Sequence, residues 1–208
     1  MSPTPGAGGR EGDRVPQRLI LGISGASGAI YGVRLLEALR TLGIESHLVM
    51  SKAAEMTIAY ETDLTPAAVK ALAGVVHPIG DLGAPISSGS FPTLGMIIAP
   101  CSVRSLAEIA TGVTSSLLTR AADVTLKERR RLVLMLRETP LHSGHLRNML
   151  ALSDMGAVIA PPVPAFYIRP ASISELVDHS IGRVLDLFGL DSGLARRWGE
   201  KTLTRKPR

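Results

Sequence analysis

The sequence predicts an α/β fold with one doubly wound parallel sheet. Three observations carry that reading. Short, almost wholly apolar runs alternate with segments whose apolar residues recur at helical spacing. The first elements come in the order strand, helix, strand, helix, the opening of a parallel βαβ arrangement. Most of the apolar runs open into glycine, serine or charged residues, as buried strands do where they leave the sheet.

Arg18–Ser24 is the first such run and reads as a buried strand. From Gly28 to Leu42, apolar residues at Ile30, Val33, Leu36, Ala38 and Leu39 mark a helix, which Gly43 ends. Ile44–Met50 is a second strand, and Ser51 is placed to cap the helix beginning Lys52-Ala-Ala-Glu-Met. Met96–Pro100 is a third strand, followed by a helix from Ser102 through Ala110. Arg131–Leu136 is a fourth and Ala157–Ala160 a fifth, and a last helix runs from about Ser172 to Phe188. No repeat and no second domain boundary interrupts this series, so residues 18–191 are expected to form one domain.

Composition narrows the class further. The chain has 208 residues, enough for one α/β domain with a substantial core, and only 3% are aromatic, so Ala, Leu, Ile and Val must fill that core. Its longest apolar runs are too short to cross a bilayer. Residues 1–17 are rich in Gly, Pro and charge and are expected to be a disordered lead rather than a signal or anchor. A single cysteine, Cys101, excludes an internal disulfide and fits a reducing cytoplasm. It follows a strand and precedes a helix start, yet it is expected to be a buried structural thiol. The formal net charge of +5 is concentrated in residues 196–208. No basic or aromatic stripe accompanies it, so a solvated tail rather than a nucleic-acid site is expected. His142 and His145 lack metal-ligand spacing with other residues, and no metal site is expected.

Polar residues gather at the predicted strand ends. Ser24–Ser27, Ser51, Ser102, Arg137-Glu138 and the Pro161–Tyr167 loop each follow the carboxyl end of a strand, the edge where open α/β sheets bind ligands. The stretch LGISGASGAIY, Leu21–Tyr31, matches only the last two glycines of a dinucleotide fingerprint, at Gly25 and Gly28, because Ile23 stands at the first. Ser51-Lys52 stands where an acidic ribose ligand is expected, and no P-loop Gly-Lys-Ser/Thr follows. A mononucleotide phosphate remains, held by the hydroxyls of Ser24, Ser27 and Ser51 and by N–H groups at helix starts. The charged run from Arg120 to Arg131 leads into a strand that ends at Arg137-Glu138. Lys127, just before that strand, is expected to come near the same region, and this arginine and lysine set suits a phosphate or pyrophosphate.

Seven segments in order, among them GISGASGAIYGVRLLEAL, HLVMSKAA, ETDL, SSGSFPTLGMIIAPCS, LLTRAADVTLKERRRLVLMLRETPL, HLRNMLALSDMGAVIAPPVPAFYIRP and RWGE, resemble the flavin prenyltransferase family of UbiX type, long described as 3-octaprenyl-4-hydroxybenzoate carboxy-lyases. The resemblance runs from about Arg18 to Gly199. It implies a Rossmann-like or flavodoxin-like fold and a metal-independent transfer of the prenyl group of dimethylallyl phosphate to N5 and C6 of reduced FMN. Phosphate is released, and the prenylated FMN serves a UbiD-type decarboxylase. It also implies a homododecamer with active sites between subunits, and no membrane or nucleic-acid partner. Gly25, Ala26 and Ser27 match the flavin-binding turn, with Ser27 near N5. Ser51 matches a second flavin contact, and Ser102, Val103, Arg104 and Ser105 match the segment after the third strand. Arg137 matches an arginine touching FMN and lying near the prenyl phosphate. Lys127, Tyr167 and Arg183 match the dimethylallyl phosphate site. Glu61 and Glu138 match acidic residues tied to catalysis, Glu61 as a candidate proton acceptor and Glu138 as the residue that orients Lys127 or Arg137. Trp198, in the tail 192–208, matches an aromatic near the prenyl group. Ser115-Ser116 departs from the Asp-Asn or Asp-Gly that relatives often carry there. Two rivals are an FMN-dependent cysteine decarboxylase, whose catalytic histidine and clamping loop are not found in the sequence, and a non-catalytic flavin carrier.

Overall fold

The structure is a computed structural model that describes residues 17–199. Six parallel strands form one sheet: β1 Arg18–Ile23, β2 Glu45–Met50, β3 Val75–His77, β4 Gly95–Cys101, β5 Arg131–Leu136 and β6 Val158–Ile159. Their order in the sheet is β3-β2-β1-β4-β5-β6, so the winding reverses between β1 and β4. Seven α-helices connect them: α1 Ala29–Thr41, α2 Lys52–Glu61, α3 Pro66–Lys70, α4 Val103–Ala110, α5 Leu117–Lys127, α6 Ser143–Asp154 and α7 Ile173–Asp186. The expected flavodoxin-like doubly wound sheet is therefore present.

Alternation along the strands splits the core into two layers. Leu19, Leu21 and Ile23 join Ile97, Val133 and Met135 beneath α1 and α7. Ile20, Met96, Ile98, Leu132 and Leu134 pack under α4 and α5. On the first face α1 lies so close to the sheet that a Cβ on Gly32 would stand 2.6 Å from the Ala99 carbonyl oxygen.

Four elements were not foreseen. β3 is a three-residue edge strand whose Val75 and Val76 stay exposed, too short to show a period. α3 is a single short turn of helix. α5 lies inside what reads as a charge run: Ser116 and Thr119 form a capping box, and Leu117, Leu118, Ala121, Ala122, Val124 and Thr125 are buried while Arg120, Asp123 and Lys127 face outward. α6 buries little beyond Leu152, so its pattern is weak.

The tail expectation needs correction where it is described. Residues 192–199 pack back on α7: the Ala195 backbone nitrogen lies 2.7 Å from where a Gly182 Cβ would stand. The Arg196 guanidinium donates to the Ile168 carbonyl at 3.0 Å, and Arg197 makes two 3.1 Å bonds to Asp186. These arginines are thus engaged within the chain. The lead, residues 1–16, and the end of the tail, residues 200–208, lie outside the described residues. Among the described residues no helix is long and apolar enough to cross a membrane.

Candidate functional site

At the winding reversal the connections leaving β1 and β4 turn to opposite faces of the sheet and leave a crevice between them. The buried Ser24 ties these ends together. Its Oγ donates to the Pro100 carbonyl at 2.8 Å and accepts from the Ser102 N–H at 2.7 Å. Ser24 is therefore engaged as a staple, which corrects its expected role as a phosphate hydroxyl. The crevice, about 400 Å³, is lined by Gly25, Ser51, Ser102, Arg104, Ser105 and Ser116, among others. Ser51 caps α2, Ser102 caps α4 and Ser116 caps α5 through their oxygens, so three helix N-termini meet at one cavity. Unpaired N–H groups and the positive end of each helix dipole favour an anion there. The carboxylate lining the cavity, Glu108, is engaged by Arg104 at 2.9 Å. Hydroxyls, helix starts and a glycine turn suit the phosphate and polar edge of FMN. Gly25 lies flat against α2, where an added Cβ would overlap the Ala53 Cβ. Ala26 is buried in the turn, and Val103 is the first residue of α4.

The start of α1 is capped from a distance. Gly28, at φ +98°, and Ala29 donate their N–H groups to the Glu61 carboxylate at 2.8 and 3.0 Å. Partial burial pushes the Glu61 carboxyl up. The Ser27 hydroxyl, these two N–H groups and the nearby Arg137 charge outweigh that and hold it below its ordinary value. Glu61, Ser27 and Arg137 thus sit together beside the crevice. Because the folded pKa is depressed, this cap contributes fully above the unfolded value of 4.5 and is lost as pH falls through the lower folded value. Acidification from about pH 6 to about pH 3 is expected to lower the melting temperature more in the wild type than in Glu61→Gln, by about 2–4 °C. Equal acid sensitivity in thermal melts would remove Glu61 as the cap.

A second group lies at the ends of β5 and β6. Tyr167 and Arg183 line a cavity of about 350 Å³ with Met135, Pro161, Val163 and Leu187. The Tyr167 hydroxyl is 3.1 Å from His179 Nε2, and the Trp198 ring meets the Tyr167 ring edge-on at 5.5 Å. Arg183 donates to Asp186 at 2.7 Å. Sequence reasoning missed His179, which shares a face of α7 with Arg183 four residues on; that spacing was its only signal.

Lys127 is elsewhere. It ends α5 at the amino edge of β5, paired with Glu128 and beside Gly89. Arg130 holds that loop, donating to the Gly89 and Phe91 carbonyls at 2.6 and 2.7 Å. Arg137 is at the other end of β5, its N–H on the Cys101 carbonyl at 3.0 Å. Within one chain a six-residue strand, about 20 Å long, keeps Lys127 from the crevice, which corrects the expectation that the two meet. Glu138 accepts from the Thr139 N–H at 3.0 Å, and among the described contacts it pairs with neither Lys127 nor Arg137. Cys101 is buried and its thiol is pushed up to about 12 by that burial, as an inert structural cysteine should be. Among the described residues, no group of three His, Cys, Asp or Glu side chains is arranged to hold a metal ion.

A sequence model of the family described as Flavoprotein matches residues 9–185. The chain is 58% identical over 185 residues to the flavin prenyltransferase UbiX of Escherichia coli strain K12, covering 88% of this chain and 98% of that protein. A crystal structure of AnUbiX (PadA1) in complex with FMN and dimethylallyl pyrophosphate superposes with a TM-score of 0.88 at 57% identity, over 89% of this chain and 98% of that one. A dodecameric FMN-dependent UbiX-like decarboxylase from Escherichia coli O157:H7 gives 0.86 at 53% identity, over 88% and 99%.

Proposed function

The chain belongs to the flavoprotein family as one of its flavin prenyltransferases, and from that premise we propose that it joins the dimethylallyl group of dimethylallyl phosphate to reduced FMN without a metal ion. One observation carries the assignment of the flavin site: three capped helix N-termini and a glycine turn converge on one crevice at the winding reversal. Gly25, Ala26, Ser27 and Ser51, with Ser102 to Ser105 and Arg137, hold the flavin there. When bound, reduced FMN supplies the N5 and C6 positions that receive the prenyl group.

The rest is done by side chains. Breaking an allylic C–O bond leaves charge on the departing phosphate. Lys127, Arg137 and Arg183 meet that charge, and one such donor is worth about 2.7–4 kcal/mol in known oxyanion sites, while the Tyr167 hydroxyl binds the same phosphate equally in the donor and in the leaving group. The face of Trp198 stabilises the cationic allyl fragment by about 0.5–2 kcal/mol. Glu61 is ionised and orients Ser27, and either Glu61 or the released phosphate is the acceptor for the proton lost at C6. The dimethylallyl pyrophosphate bound in the AnUbiX structure supports a dimethylallyl donor. The fixed cations suit a phosphate leaving group.

Because Lys127 stands at the far edge of the sheet, it reaches a flavin crevice only as a contribution from another copy. The dodecameric relative supports such an assembly, and we read this chain as a homo-oligomer of that kind. In it Glu138 is free to orient the incoming Lys127 or its own neighbour Arg137. A UbiD-type decarboxylase is the recipient of the prenylated FMN, and a cytoplasmic location fits the single buried thiol. Incubation with reduced FMN and dimethylallyl phosphate, followed by mass analysis of the flavin, is expected to show one added C5H8 unit. Unmodified flavin would favour a carrier, and loss of carbon dioxide from a cysteine peptide would favour a decarboxylase.

A further inference from the structure

His179 is buried on α7, yet neither the sequence nor the reaction assigns it a task. Its Nε2 lies 3.1 Å from the Tyr167 hydroxyl oxygen, and its Nδ1 is buried with no hydrogen-bond partner among the described residues. These two facts select a tautomer. If Nδ1 carried the proton, a buried N–H would stand unpaired, a rarer and costlier state than a bare acceptor lone pair. The proton therefore sits on Nε2, and the Tyr167 oxygen accepts it. Charging the ring is opposed by burial first and then by Arg183 and Arg196, against a weaker pull from Asp186. The imidazole is thus neutral, with a fixed donor and no proton to shed.

A phenol oxygen that already accepts one bond turns its own proton elsewhere. Tyr167 is held edge-on between His179, with ring centroids 5.6 Å apart, and Trp198, and it borders the cavity that Arg183 also lines. We propose that His179 is a positioning residue: its Nε2–H donates to the Tyr167 oxygen and so commits the Tyr167 proton to an anionic oxygen of the prenyl donor beside Arg183. This rests on the reading of Tyr167 and Arg183 as the donor phosphate site. A histidine at this place sharpens a specific hydrogen bond without adding a charge, so its effect belongs to donor recognition rather than to flavin binding.

The experiment is a double-mutant cycle in the full-length oligomer, with dimethylallyl phosphate as the probe. His179→Phe is expected to raise KM for the donor about three- to tenfold, as the loss of one neutral hydrogen bond does, with kcat and FMN affinity unchanged. His179→Gln, whose amide N–H reaches the position of Nε2, is expected to restore KM. In a Tyr167→Phe background, His179→Phe is expected to add nothing. If the phenylalanine variant does not fold, His179→Leu takes its place in the cycle. A raised KM in Tyr167→Phe with none in His179→Phe overturns the positioning role alone. Equal, additive losses in both backgrounds, or a glutamine variant as impaired as the phenylalanine one, also overturn it. No change of KM in Tyr167→Phe overturns the donor-site reading beneath it.

Discussion

Lys127→Ala is expected to lower kcat/KM for dimethylallyl phosphate by about 10²–10³-fold while FMN affinity stays within about twofold. The expectation follows from the separation of the two sites. Lys127 is one strand length from the flavin crevice of its own chain, so its loss removes no contact to its own flavin. It is nonetheless held in place: Glu128 pairs with it, Gly89 leaves room beside its ammonium, and Arg130 pins the Gly89–Phe91 loop through two carbonyls. The same geometry gives a sharper test. Arg137→Ala, at the opposite end of β5 and proposed to hold the flavin, should be equally impaired as a homo-oligomer. In oligomers co-assembled from Lys127→Ala and Arg137→Ala chains, some sites receive an intact Lys127 from one copy and an intact Arg137 from the other. Random mixing makes that about a quarter of the sites, and activity should return in that proportion. If both residues serve one site from one chain, the mixture stays as inactive as its parents, and the shared site is wrong.

That error in placing Lys127 shows where sequence reasoning stops. β1, α1, β2, β4 and β5 were legible because each is a continuous apolar run or a clear helical stripe buried in the core. The site edge was legible for the same reason: once strand order and direction are known, the loops at the carboxyl ends are known too. What lies at one edge or the other follows from which side of a strand a residue precedes. Lys127 precedes β5 and Arg137 follows it, so nearness in sequence implied distance in space. Ser24 failed differently. Its hydroxyl bonds a carbonyl 76 residues away, and nothing local tells a staple from a ligand contact. The Tyr167–His179 pair joins a three-residue 3-10 turn to a helix, and no period links them. α5 was hidden by its own solvated face, since Arg120, Asp123 and Lys127 interrupt the buried stripe in the sequence.

Gly25→Ala is expected to weaken FMN binding by about ten- to hundredfold, as overpacking of a closed contact does. The cause is space alone, because Gly25 does not sit in the left-handed region. An added Cβ would overlap the Ala53 Cβ and lie 3.2 Å from the Ala53 carbonyl carbon. Ala53 stands in the first turn of α2, whose N-terminus and Ser51 cap form one wall of the crevice. The methyl would push that turn away, and with it the N–H groups at the α2 N-terminus that are proposed to hold the flavin phosphate. A clash between two methyls is relieved by removing either one. Ala53→Gly on its own should bind FMN nearly as the wild type does, and Gly25→Ala with Ala53→Gly should recover affinity to within about threefold, a strong departure from additivity. Flavin fluorescence titration of the four proteins measures it. If the double variant binds as weakly as Gly25→Ala, the glycine is required by the flavin's own approach to the backbone, and the turn acts as a contact surface instead of a spacer for α2.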